Sequence, residues 1–270
     1  MPTLKRRLKP LLSTSAVLLT AFATFTTITT LNNAAHASHD KTVTAPSKAF
    51  YQQVVDNKNR PGSDLSRDKS RQPAALLAFM QLKPGMVVFE LGASGGYTTE
   101  ILARAIGSKG KLFAEGLSPS RVANGRLPQV KPLGRGLIYQ IPERAAKAGL
   151  KNGEVDTVVI MFTYHDLALN ERINRQDMLQ NMLQMLKPGG SIIIADNSAV
   201  TGSGLDDTQQ LHRIDPQLIK KEFEQAGFVF AAKSDLYHNP KDNLKAHWRF
   251  LADRGQHERL LMRFVKKATK

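Results

Sequence analysis

The residues best placed to do chemistry lie in one short run, Glu90-Leu91-Gly92-Ala93-Ser94-Gly95-Gly96-Tyr97. Gly92, Gly95 and Gly96, with small Ala93 and Ser94 among them, let backbone approach a ligand closely or take a positive φ without a Cβ clash. Glu90 adds a carboxylate beside that turn, where it would repel a phosphate and welcome an amine. The dinucleotide fingerprint G-x-G-x-x-G is not met, because Ser94 and Tyr97 stand where its second and third glycines belong. A pyrophosphate site is disfavoured and an amine-bearing ligand favoured. The histidines show no metal-ligand spacing such as H-E-x-x-H, so no bound metal is expected.

The elements that must hold this run are legible on both sides of it. Val87, Val88 and Phe89 are β-formers, and a helix is expected from Thr98 with Ile101, Leu102 and Ala105 on one face and Gly107 as its stop. Strand, glycine turn and helix open a doubly wound α/β fold, whose ligands sit at the carboxyl ends of the strands. Before it, Pro73 starts a helix with Leu76, Leu77, Phe79 and Met80 as apolar face, broken by Lys83-Pro84-Gly85. After it, residues 111–114 make a second strand, residues 117–136 a loop or short irregular helix, and residues 137–139 a third strand. Residues 155–162 form a nearly continuous apolar run, as expected of a strand covered on both faces. A helix around Met178, Leu179, Met182, Leu183 and Leu186 follows, then the turn Lys187-Pro188-Gly189-Gly190 into a strand at 191–195. The long loop from Thr201 to His212 has the length of a lid. Asp215 caps and Pro216 opens another helix, and residues 228–232 and 260–265 supply the last two strands.

Glu90, Gly92, Ser94 and Gly96 match the positions of motif I of class I S-adenosylmethionine-dependent methyltransferases, an acid before a G-x-G-x-G turn. The resemblance extends over most of the chain after residue 60. It is carried as well by Arg67-Asp68, Arg71-Gln72-Pro73, Phe162-Thr163-Tyr164-His165-Asp166, Leu186-Lys187-Pro188-Gly189-Gly190 and His212-Arg213-Ile214-Asp215-Pro216. The chain is similar in these phrases to exported predicted bacterial methyltransferases of unknown substrate. The resemblance implies a Rossmann-like, mostly parallel seven-stranded sheet with an antiparallel last strand, S-adenosyl-L-methionine as cofactor, and methyl transfer to an unidentified small-molecule or envelope acceptor.

It also implies roles. Glu90, Gly92, Ser94, Gly95, Gly96 and Tyr97 would hold the cofactor. The acid that ends the second strand would be Glu115, but counting places it one residue early, so it reaches the ribose only if the strand ends in a bulge. Glu143 falls near the adenine position or on a polar surface. The carboxyl end of the fourth strand would face the methyl group. There His165 could take a proton, Asp166 orient it or bind the acceptor, and Tyr164 line the methyl pocket; the same residues could simply hold the loop. Arg60, Asp68 and Arg71 are lid or substrate candidates beside the leading helix, and His212 and Arg213 could reach in from the lid to an anionic group. Two other functions stay open, a non-catalytic periplasmic binding or scaffold protein on the same fold and an aminopropyltransferase-like enzyme, although the latter's polyamine acceptors want acidic pockets.

The 270-residue chain carries a net charge of +15 and no cysteine, so neither disulfides nor a cysteine-linked lipid anchor is available. Its basic residues are scattered and lack an aromatic stacking platform, which points away from specific nucleic-acid binding and leaves weak contact with an anionic membrane surface. Lys5, Arg6, Arg7 and Lys9 precede an uncharged, threonine-rich run to Leu31, and Ala35-His36-Ala37 offers an A-x-A cleavage site. The expected organisation is a signal peptide over residues 1–37, a flexible lead-in over 38–58 and a methyltransferase-like domain over 59–270, in the periplasm; an uncleaved inner-membrane anchor is the alternative. Terminal sequencing of the protein recovered from cells should begin at Ser38. Retention of the first residues would favour the anchor.

Overall fold

A computed structural model describes residues 46–136, 140–251, 255 and 257–268. The expected signal peptide and the expected third strand at 137–139 lie outside these residues. Seven strands, β1 Val87–Leu91, β2 Lys111–Glu115, β3 Val130–Gly134, β4 Val155–Met161, β5 Leu186–Asn197, β6 Val229–Lys233 and β7 Arg259–Val265, form one sheet in the order β3-β2-β1-β4-β5-β7-β6. All pairings are parallel except those of β7 with β5 and β6. The strand order reverses between β1 and β4, and the carboxyl edge at such a switch point opens a crevice.

The central strands are buried on both faces, which is why β1 and β4 read as apolar runs. On one face Val88, Val159 and Ile193 pack with Leu76, Leu77, Ile101 and Leu102 from α3 Pro73–Met80 and α4 Tyr97–Ile106. On the other, Phe89, Val158 and Ile192 meet Leu179, Met182 and Phe223 from α7 Arg175–Met185 and α9 Pro216–Gln225. The remaining helices are α1 Lys48–Val55, α2 Gly62–Arg71, α5 Ile141–Lys147, α6 Tyr164–Ala168 and α8 Thr208–Leu211.

Several sequence expectations change. The lead-in is not irregular throughout, since α1 starts at the capping Ser47 and buries Tyr51, Val54 and Val55, three apolar positions at helical spacing among polar neighbours. Within residues 117–136 a 3-10 segment at Pro119–Gly125 leads to β3. That strand tolerates Pro132 because it is the sheet edge, where a missing backbone donor leaves no ladder bond unmade. The turn Lys187-Pro188-Gly189-Gly190 is the irregular start of β5, whose register against β4 shifts between Val155 and Thr157.

The expected lid is strapped down. Asp215 caps α9 through Gln217 N and also accepts from Gly202 N and Gly204 N at 3.0 and 3.2 Å. Arg213 does not reach toward a substrate. Its fully buried guanidinium donates to Ser198 O, Ala246 O and both oxygens of Asp242, tying the crossover between β6 and β7 to the end of β5. Tyr164 also faces inward, away from any methyl pocket: it is fully buried against Phe223 and donates to Glu222 at 2.6 Å. Among the described residues no helix is long and apolar enough to cross a membrane.

Replacing Arg213 with Met would leave the Asp242 carboxylate buried and unpaired. Urea denaturation should show a loss of about 3–5 kcal/mol; unchanged stability would return Arg213 to the list of ligand contacts.

Candidate active site

The glycine turn forms as its composition demands. Gly92 and Gly96 have φ of 72° and 78°, and Ser94 takes 50°, which L side chains rarely adopt. A Cβ on Gly92 would stand 2.8 Å from Thr163 Cγ2, whereas one on Gly95 would meet nothing within 4 Å. The turn lines a crevice of about 270 Å³ together with Glu90, Tyr97, Thr98, Met161, Phe162 and Thr163.

Glu90 is the chemically unusual member. It is 2% exposed, and its carboxyl accepts a 2.6 Å bond from Thr99 Oγ1. Burial pushes its pKa up to about 7, although Thr99 and the more distant Arg121 pull it down. Glu115 also reaches the turn. The pairing of β2 with β3 shifts between Ala114 and Glu115, and the Glu115 side chain accepts from Gly92 N at 3.3 Å while its backbone oxygen accepts from Ala93 N at 2.8 Å. The residue skipped by that shift, Leu133, lies on β3, and β2 keeps an unbroken register against β1, so Glu115 reaches Gly92 without a bulge in its own strand. Glu143 does not join the site: it is exposed and pairs with Lys147 one helical turn away, while neighbouring Arg144 donates to Glu115 at 3.3 Å.

Helix α2 roofs the crevice. Asp68 holds both Nη atoms of Arg60 at 2.7 Å and accepts from Tyr97 Oη at 2.7 Å; Asp64 pairs with Arg121, which donates to Gly95 O. Arg60 and Asp68 therefore brace the roof rather than contact a ligand. Arg71, at the end of α2, does enter the site, with its Cζ 4.1 Å from the centre of the Phe162 ring.

At the carboxyl end of β4 the chain turns sharply through Phe162, whose φ of 59° is strained for a bulky residue. The turn sends Tyr164 into the core and His165 and Asp166 to a second cavity. His165 is 3% exposed. Its Nδ1 lies 2.6 Å from Asp196 Oδ1, and its Nε2 lies 3.3 Å from Asp166 Oδ1. Burial lowers the His165 pKa, but the Asp166 and Asp196 bonds outweigh burial and raise it to about 10. Exposed Asp166 receives His212 Nδ1 as well, at 3.2 Å.

The second cavity measures about 500 Å³ and is lined by His165, Asp166, His212, Asn197, Trp248 and Arg259 among others. It shares Arg67, Arg71, Phe162 and Asp166 with the glycine crevice. Sequence reasoning missed much of its wall. Arg259 lies 4.1 Å from the Tyr237 ring centre and 5.7 Å from that of Phe162. His257 Nε2 donates to Asn197 Oδ1 at 2.7 Å, and the ring stacks on Trp248. The available signal was the crossover between β6 and β7, a long stretch with three histidines and the chain's one tryptophan.

Residues 89–194 match the family described as a methyltransferase domain. The chain is 26% identical over 169 residues to the ubiquinone/menaquinone biosynthesis C-methyltransferase UbiE of Hydrogenovibrio crunogenus, a match spanning 61% of this chain and 64% of that relative's length. A solved S-adenosylmethionine-dependent methyltransferase from Aquifex aeolicus superposes with a TM-score of 0.53 at 18% identity, covering 82% of this chain and 98% of the other. The cyclase SpnF superposes with a TM-score of 0.52 at 14% identity, covering 73% and 83%. These structures share the fold, and the cyclase among them illustrates that fold alone does not set the reaction.

The two neighbouring glycines offer a contrast. Gly92→Ala meets both a positive φ and the Thr163 contact and should cost about 1–3 kcal/mol in urea denaturation. Gly95→Ala should stay within about 0.5 kcal/mol of the parent.

Proposed function

Because residues 89–194 match the family described as a methyltransferase domain and the fold is that of a solved S-adenosylmethionine-dependent methyltransferase, we propose that the chain transfers a methyl group from S-adenosyl-L-methionine to a small acceptor held in the second cavity. The observation that carries this reading is the shared wall: a donor crevice and an acceptor cavity meet at Phe162 and Asp166, at the carboxyl end of β4.

The residues fit the donor. Glu90 is a buried carboxyl facing the crevice with a single hydroxyl partner among the hydrogen bonds described, suited to a cationic aminocarboxypropyl sulfonium. Glu115, at the end of β2, would take the ribose hydroxyls once its Gly92 and Arg144 contacts adjust. The donor supplies a methyl on a sulfonium that leaves as a neutral thioether, so the chain's own task is mainly to hold two reactants aligned. Phe162 forms the partition and Arg71 packs on it. No ion pair among the described residues involves Arg71 or Arg259, and these guanidiniums, set over Phe162 and Tyr237, suit an acceptor with an anionic group. Export of the mature chain, read from residues 1–37, belongs to the same proposal.

Glu90 gives the test a sign. Its folded pKa lies above the unfolded value of 4.5, so this site costs stability as pH rises from about 4.5 through about 7. A cationic donor reverses the cost by stabilising the ionised carboxylate. Calorimetric titration with S-adenosylmethionine should give about tenfold tighter binding at pH 8 than at pH 6, and Glu90→Gln should weaken binding and flatten the profile. Absence of binding at millimolar donor would defeat the methyltransferase reading.

A further inference from the structure

His165, Asp166 and His212 each offer a ligand atom to one point, all three atoms lying within 4.8 Å of one another. Asp166 Oδ1 is 3.3 Å from His165 Nε2 and 3.2 Å from His212 Nδ1, both long for charge-assisted hydrogen bonds, which run at about 2.7–2.9 Å. They also match the separations of adjacent ligands on one ion: metal bonds of about 2.0–2.2 Å place neighbouring donor atoms about 3–3.5 Å apart.

The surroundings are those of a metal site as well. Asp196 grips His165 Nδ1 at 2.6 Å, which fixes the ring and turns Nε2 toward Asp166. A carboxylate behind a ligating imidazole does this at most metal centres. Asp196 is itself held, accepting from the backbone of His165 and of Asn197 at 2.9 and 2.8 Å. His212 adopts φ 49° at the end of α8, and Asn197 Nδ2 donates to its carbonyl at 2.9 Å, so the ring is aimed from two directions. The residues come from three places, α6, the end of α8 and the end of β5, and no spacing motif could announce them.

We infer that His165 Nε2, Asp166 and His212 Nδ1 form a binding site for one divalent first-row transition metal ion on the wall of the second cavity. Two imidazoles and one carboxylate suit zinc, iron(II), cobalt(II) or manganese rather than magnesium or calcium, which take oxygen donors. All three ligands line the cavity, so the remaining coordination positions open into it, the arrangement of a catalytic rather than a closed structural site. One consequence rests on the methyl-transfer reading, although the site does not: an acceptor hydroxyl or thiol seated on the ion would lose its proton to solvent near neutral pH.

The full-length protein, stripped with chelator and dialysed, should take up one equivalent of cobalt(II) with visible ligand-field bands of low symmetry, and one of zinc by calorimetry. His212→Ala and Asp166→Asn should each weaken zinc binding at least about 30-fold while their metal-free urea denaturation matches the parent, and His238→Ala, at an exposed histidine elsewhere, should change nothing. Uptake well below one equivalent, equal affinity in the variants, or magnesium binding as tightly as zinc would overturn the site. A parallel titration with S-adenosylhomocysteine reads the donor crevice alone. Donor binding without metal uptake would sink this inference and spare the function, and metal uptake without donor binding would do the reverse.

Discussion

The site is organised by an electrostatic cost, the burial of the Glu90 carboxyl at the end of β1. Raising its pKa from 4.5 to about 7 corresponds to about 3 kcal/mol against the ionised form. In a fold held by a margin of about 5–15 kcal/mol that is a large local penalty. A hydrophobic residue there would serve the sheet better. The carboxyl makes physical sense when the crevice receives a positive ligand, and the glycine turn beside it keeps backbone close enough for that ligand to be gripped.

Around this point the chain spends its other buried polar groups on rigidity. Asp64 and Asp68 clamp α2 over the crevice through Arg121, Arg60 and Tyr97. Arg213 and Asp242 fasten the crossover that carries His247, Trp248 and His257. Between the two clamps lies the strained turn at Phe162, which separates the crevice from the second cavity and points His165 and Asp166 into the latter. The crevice and the second cavity thus meet between the two clamps, and the proposed alignment of two reactants there requires such rigidity.

What the sequence revealed follows from how local each signal is. The β1 strand, its glycine turn and α4 were legible because propensity, spacing and the odd acid all fall within twenty residues. The mostly parallel seven-stranded sheet and its antiparallel last strand came through the family resemblance. Glu115 was a question of register: the irregular pairing falls on Leu133 of β3, and the Glu115 side chain meets Gly92 N from a regular β2. Tyr164 and Arg213 sat in family phrases but proved to be packing and bracing, because a one-dimensional phrase does not say which way a side chain turns after a strand end. β3 was hidden by Pro132, which an edge strand accepts. The cavity wall of Asn197, Trp248, His257 and Arg259 was illegible for the opposite reason: its parts are scattered through the chain and become neighbours only when β5, β7 and two loops assemble.

The most direct measurement is the crystal structure of the protein with S-adenosylhomocysteine bound. The account predicts the amino group near Glu90, the ribose at Glu115, and the thioether sulfur at the opening framed by Phe162 and Asp166, facing the second cavity. A nucleoside bound elsewhere, or a sulfur walled off from that cavity by Phe162, would contradict it.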